Sequence, residues 1–139
     1  MDNKVISFII ATSGTLGTYF LGGFDLIIRT LIILVLFDYI TGVASSVINN
    51  SLNSEIGFRG IMRKVGIFFV VALAHLLDMT TGLEDPLLRT MTIWFYITNE
   101  GLSILENLGK MGVPLPPLLV RTLEKLKIQT DDQSKQKRS

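Results

Sequence analysis

The chain contains no cysteine, which excludes disulfides and thiolate metal sites and leaves the redox compartment open. Charge is scarce: 18% of the 139 residues are Asp, Glu, Lys or Arg, and the formal net charge is +1. That balance offers no basic excess for a nucleic-acid partner. The start, Met1 to Lys4, is barely basic, and no small-residue cleavage site follows it, so it does not read as a signal peptide. No internal repeat, Ser/His/Asp triad, phosphate loop or metal constellation stands out, and no cofactor is implied. The sequence therefore points away from an enzyme, and its length allows one domain.

What the chain does have is apolar length. It is 48% hydrophobic, with a mean hydropathy of +0.48. A bilayer core of about 30 Å needs roughly 20 mostly apolar residues per helical span. Four windows approach this: residues 5–23, 26–48, 65–81 and 87–108. The fold expected is an all-α membrane bundle with four transmembrane helices. The first window is rich in Gly, Ser and Thr, so three spans plus an interfacial N-terminal helix is the alternative. Residues 117–128, opening on Pro117 with Leu119, Leu123 and Leu126 at helical spacing, read as a short amphipathic helix, either on the membrane surface or packed on the protein. Together residues 1–128 form the membrane domain, and 129–139 read as a disordered polar tail.

Loop charge suggests an orientation. Residues 49–64 and the tail carry the basic residues, whereas the connections at 22–25 and 82–86 carry only Asp25, Glu84 and Asp85. Excess Lys and Arg marks the cytoplasmic side. Four spans would place both termini there, in a multi-pass protein of the cytoplasmic membrane. In the basic loop, Gly57 and Gly60 could form tight turns, while Ile56, Phe58 and Ile61 dip into the interface beside Arg59, Arg63 and Lys64.

Polar residues inside apolar windows are the candidate site, because an ionised group in hydrocarbon persists only by facing water, a partner or the bundle interior. Asp38 lies about 12 residues, roughly 18 Å, from the outer end of its window. Glu100 sits at a similar depth in the fourth window, and no basic residue within the windows reaches that level. Each carboxyl could be neutral and hydrogen-bond across a helix contact, or both could face water. Thr92, Tyr96, Asn99, Ser103 and Glu106 follow helical spacing and form a stripe flanked by Glu100 and Asn107. Gly42 and Ser46 form a small-xxx-small pair beside Asp38, suggesting a close helix contact. His75 and Asp78 read as a hydrogen-bonded pair rather than a metal fragment, and Arg29 and Arg89 as interfacial anchors.

These residues also carry a resemblance. The run "FDYITGVASSVINNSLNSEIGFRGIMRKVGIFFVVALAHLLD" contains Asp38, Gly42, Ser54, Gly57, Gly60, Arg63, Lys64 and Asp78 in order. The later run "NEGLSILENLGKMGVPLPPLL" adds Asn99, Glu100, Ser103, Glu106, Asn107 and the proline-containing segment Val113 to Pro117. Together they resemble the phage-lysis and toxin-secretion holin family of Gram-positive bacteria and their phages, over Leu31 to Leu126. The segment before that matches only as apolar. The resemblance implies a protein that homo-oligomerises in the lipid bilayer and opens lesions through which an endolysin, or a large toxin, crosses. The same residues would also suit a small ion-coupled transporter, or an adaptor whose basic segments recruit a cytoplasmic partner.

Overall fold

The computed structural model describes residues 3–82 and 85–136, and the side chains of all of these except 56 and 129–136. It is all-helical: α1 spans Asn3–Leu21, α2 Leu26–Ile48, α3 Ser54–Thr81, α4 Leu87–Lys110 and α5 Pro117–Gln136. Of the acidic-turn residues, Glu84 lies outside the described part, as do Lys137 and Arg138 of the tail. Ile56, read as dipping into the interface, has no described side chain.

Local chemistry fixes the helix ends. Asp25 caps α2 by accepting from the Ile28 amide at 3.2 Å, and Asn53 caps α3 by accepting from the Glu55 amide at 2.9 Å. Gly82 closes α3 in the left-handed conformation. The turn from α1 into α2 uses Gly22 at φ +73°, where an added Cβ would also lie 2.6 Å from His75 Nδ1 and 2.8 Å from Arg89 Nε. Only glycine meets both demands.

Two boundaries differ from the sequence expectation. α3 begins at Ser54, eleven residues before its apolar window, so Gly57, Gly60, Arg63 and Lys64 lie within a helix and the two glycines form no turn. The Asn53 cap starts the helix while its first turns are still polar, which a hydropathy window cannot register. α5 continues to Gln136 instead of ending at residue 128.

The core runs along one line on each of three helices: Ile28, Leu31 and Val35 of α2, Ile67 and Val71 of α3, and Ile93 and Ile97 of α4. α4 is the hub, packing on α2, α3 and α5, whereas α1 packs on α3 and buries no residue. The outward surface is apolar: Phe8, Leu26 and Phe69 are each more than 70% exposed, as suits side chains facing lipid.

Among the described residues, α1, α2 and residues Gly57–Thr81 of α3 are long and apolar enough to cross a membrane. α1 qualifies despite its hydroxyls; Thr15 and Thr18 donate to Ala11 O and Gly14 O, each at 2.8 Å, which satisfies them without water. At 24 residues α4 is long enough, roughly 36 Å. It is more polar than the other three, and Arg89, Thr98 and Glu100 lie on its buried face instead of facing outward.

α5 folds back on α4: Leu123 approaches within 3.3 Å of where a Cβ on Gly101 would sit, and Leu115 within 3.6 Å of that on Gly109. The amphipathic helix thus rests its Leu123 side on α4 and leaves its other faces exposed.

Candidate functional site

The apolar core is bracketed by two polar clusters, one near each end of the bundle. In the first, the Lys64 ammonium of α3 lies between two carboxylates, donating to Asp38 Oδ2 of α2 at 2.5 Å and to Glu100 Oε2 of α4 at 2.7 Å. The other Asp38 oxygen accepts from Asn107 Nδ2 at 3.0 Å, and the same amide reaches Thr41 Oγ1 at 3.3 Å. The side chains of Lys64, Asp38 and Glu100 are 15%, 11% and 11% exposed, so one ammonium serves two nearly buried carboxylates and ties three helices together. Charge-assisted hydrogen bonds of this kind offset the cost of taking the groups out of water.

This corrects the expectation that Asp38 and Glu100 lack a basic partner at their depth. By hydropathy alone Lys64 falls in the basic loop before the apolar window. Because the helix already runs through it, its side chain follows the buried line Lys64, Ile67, Val71, Ala74 and Asp78 down α3.

The polar stripe on α4 is also displaced. The buried line is Arg89, Ile93, Ile97, Glu100, Gly101 and Leu105. Thr92, Tyr96, Asn99 and Ser103 flank it half-buried, and Glu106 is exposed. Asn99 and Glu106 take no part in the cluster, whereas Asn107, read only as a neighbour of the stripe, binds Asp38 directly. Gly42 serves the contact expected of it within the chain: an added Cβ would lie 3.5 Å from Asn107 Nδ2. Of the two adjacent serines, Ser45 is buried and Ser46 half-buried.

Beside this cluster a cavity of about 440 Å³ opens between the ends of α2 and α4 and the start of α3. Asp38 and Lys64 lie in its wall with Gly42, Ser46, Gly57, Gly60, Arg63 and Ser103. Eight of the expected assembly and loop residues therefore meet around one space, with Lys64 linking it to Glu100.

The second cluster surrounds Arg89, which is 2% exposed and so is not an interfacial anchor. Its guanidinium donates to Asp25 at 2.8 and 3.1 Å, to Leu21 O at 2.5 Å and to Gly23 O at 3.3 Å, joining α4 to the α1–α2 turn. Arg89 holds the Asp25 carboxyl below its ordinary range. Asp78 does not pair with His75. It accepts from the Leu88 and Arg89 amides at 2.9 and 2.7 Å, capping α4 from α3. His75 Nδ1 is buried against the turn with no hydrogen-bond partner among the described residues. Arg29 stays exposed at the end of α2, donating to Phe24 O at 2.8 Å.

Among the described residues no group of three His, Asp or Glu could hold a metal ion.

Comparison with known proteins follows the same ground. The bacteriophage holin family matches residues 15–128. An uncharacterized 14.9 kDa protein encoded in the nagH 3′ region of Clostridium perfringens is 40% identical over 129 residues, covering 91% of this chain and 97% of the relative. An uncharacterized protein of Listeria monocytogenes is 36% identical over 115 residues, covering 83% of this chain and 81% of its own. A protein of Bacillus phage phi105 named probable holin is 35% identical over 104 residues, 75% of this chain and 76% of that one. No solved structure matches.

Proposed function

The chain belongs to the bacteriophage holin family, a family of non-enzymatic membrane proteins, and from that premise we propose that it oligomerises in the cytoplasmic membrane and opens lesions through which an endolysin, or in a toxin-secreting setting a large toxin, leaves the cell. The observation that best supports this reading is the Asp38–Lys64–Glu100 cluster. It joins α2, α3 and α4 through charged groups at the edge of a polar cavity. Such contacts can be exchanged for water, or for the same groups of another copy, at far lower cost than an apolar core could be opened to water.

Co-expression with an endolysin in a bacterial host tests the function. Induction should stop growth abruptly and release the endolysin's activity, and Asp38→Leu should delay or abolish that release. Asp38→Asn, which can still bond Lys64 and Asn107, should shift the onset less. An unchanged lysis time with Asp38→Leu would remove the cluster from the mechanism. Altered solute uptake without lysis would instead favour the transporter reading, which the paired carboxylates beside a polar cavity also suit.

The topology proposed has α1 to α4 spanning and both termini cytoplasmic. Because the native chain has no cysteine, single cysteines report sidedness cleanly. An impermeant thiol reagent added to intact cells should label Asp85→Cys and spare Glu55→Cys. The opposite pattern would invert the orientation, and labelling of both would defeat the four-span arrangement.

A further inference from the structure

Gly57 and Gly60 lie inside α3, where glycine is less favourable than alanine by about 1 kcal/mol each. No contact among the described residues explains them, since a Cβ built on either meets none of their atoms within 4 Å. Both face the 440 Å³ cavity beside the lysine cluster. The space they leave is therefore kept open for something other than this chain's own side chains.

The walls of that space specify its occupant. Arg63 and Lys110 line it and form no ion pair among the described residues. Lys64 is already held by two carboxylates, and the Asp38 oxygens are taken by Lys64 and Asn107, so the uncommitted charge of the cavity is cationic. Ser46, Ser51, Asn53 and Ser103 add neutral hydrogen-bonding groups. Through Tyr39 and Lys64 the cavity adjoins a groove of about 240 Å³ between α2 and α3, whose wall includes Leu36, Ile61 and Phe68 and exposes no polar surface. A cationic, hydroxyl-lined chamber sharing the Tyr39 and Lys64 walls with a neighbouring apolar groove matches one amphipathic ligand. We infer that this is a binding site for an anionic phospholipid, with its phosphate between Arg63 and Lys110, its headgroup hydroxyls among the serines, and an acyl chain along the groove. The inference does not depend on the lysis reading. A free phosphate compound, or a carboxylate of a second copy, would satisfy the cations of the chamber but leave the groove empty.

Native mass spectrometry of the full-length chain, released from micelles doped with phosphatidylglycerol or phosphatidylcholine, tests this. The native protein should retain phosphatidylglycerol roughly tenfold over phosphatidylcholine. Arg63→Gln with Lys110→Gln should bring the ratio near one. Gly60→Leu keeps both cations but fills the chamber, so it should lower retention of both lipids; Gly57→Leu asks the same question if that variant fails to fold. Unchanged helix content by circular dichroism establishes folding in each case. Retention of the preference in the double variant would overturn the site, as would undiminished lipid binding in both glycine variants. Glycerol 3-phosphate held as tightly as the lipid would reassign the chamber to a soluble phosphate. Loss of cross-linked oligomers in the glycine variants, with lipid retention intact, would reassign it to a second copy.

Discussion

Lys64→Met should destabilise the bundle by about 3–5 kcal/mol, the usual cost of stranding a buried charge whose partner has been removed. Here the loss is compounded, because two carboxylates lose the same ammonium and are left facing each other, each about one-tenth exposed. Methionine retains the length and most of the apolar stem, so the change isolates the charge. Thermal unfolding in micelles, followed through Trp94 on the same helix as Glu100, should show a large fall in midpoint. Adding Asp38→Asn and Glu100→Gln should recover most of it, because a neutral polar cluster needs no counter-charge. A single Lys64→Met variant as stable as the native protein would mean that the cluster holds nothing together.

Arg89→Gln should be nearly as damaging, at the other end of the core. Four acceptor contacts to Asp25, Leu21 O and Gly23 O depend on one guanidinium that is 2% exposed. Glutamine reaches fewer of them, leaving half-buried carbonyls without donors at up to about 1–3 kcal/mol each. The damage should concentrate on α1, which has no buried residue and reaches the core mainly through this turn and α3. Limited proteolysis in micelles should therefore cut the variant between α1 and α2 while the rest of the chain stays resistant. Equal resistance in the two proteins would contradict this role. The pH dependence has a definite sign. Arg89 lowers the Asp25 carboxyl below its ordinary 3.8, so the pair's contribution is fully present above that value and is lost as pH falls through the lowered one. Asp25 is about half exposed, so this contribution is modest.

The helical architecture could be read directly from the sequence because apolar length is a local property. α2 occupies the window expected of it, residues 26–48. The charged cluster was only half legible. Asp38 and Glu100 stood out against apolar neighbours, but Lys64 sits one residue before the window that opens at Val65 and looked like the end of a loop. The clue lay in its phase: Lys64 falls at helical spacing with Ile67, Val71, Ala74 and Asp78. Arg89 was misjudged for a related reason. Its position near a helix start suggested an anchor in the headgroup layer, and nothing local announced that the Gly22–Gly23 turn would bring backbone carbonyls to it. Gly101 was missed altogether, since its contact with Leu123 joins residues on two different helices. Contacts between helices depend on rotation and depth, which composition does not encode.

α2 is apolar around almost its whole circumference, with residues such as Leu26, Ile33 and Leu36 exposed and Ile28, Leu31 and Val35 buried. In a bilayer such a rod has little preference for any azimuth, since one greasy face is as good as another. Asp25 and Asp38 remove that degeneracy. One engages Arg89 and the other Lys64, so the stretch between them acts as a ruler with a set length and a set phase. Inserting a single residue between the two would turn one end by about 100° relative to the other and lengthen the rod by about 1.5 Å. Both anchors could not then be met at once. The number of residues between those two aspartates is thus a constraint on this protein separate from their identity, and one that no single substitution would reveal.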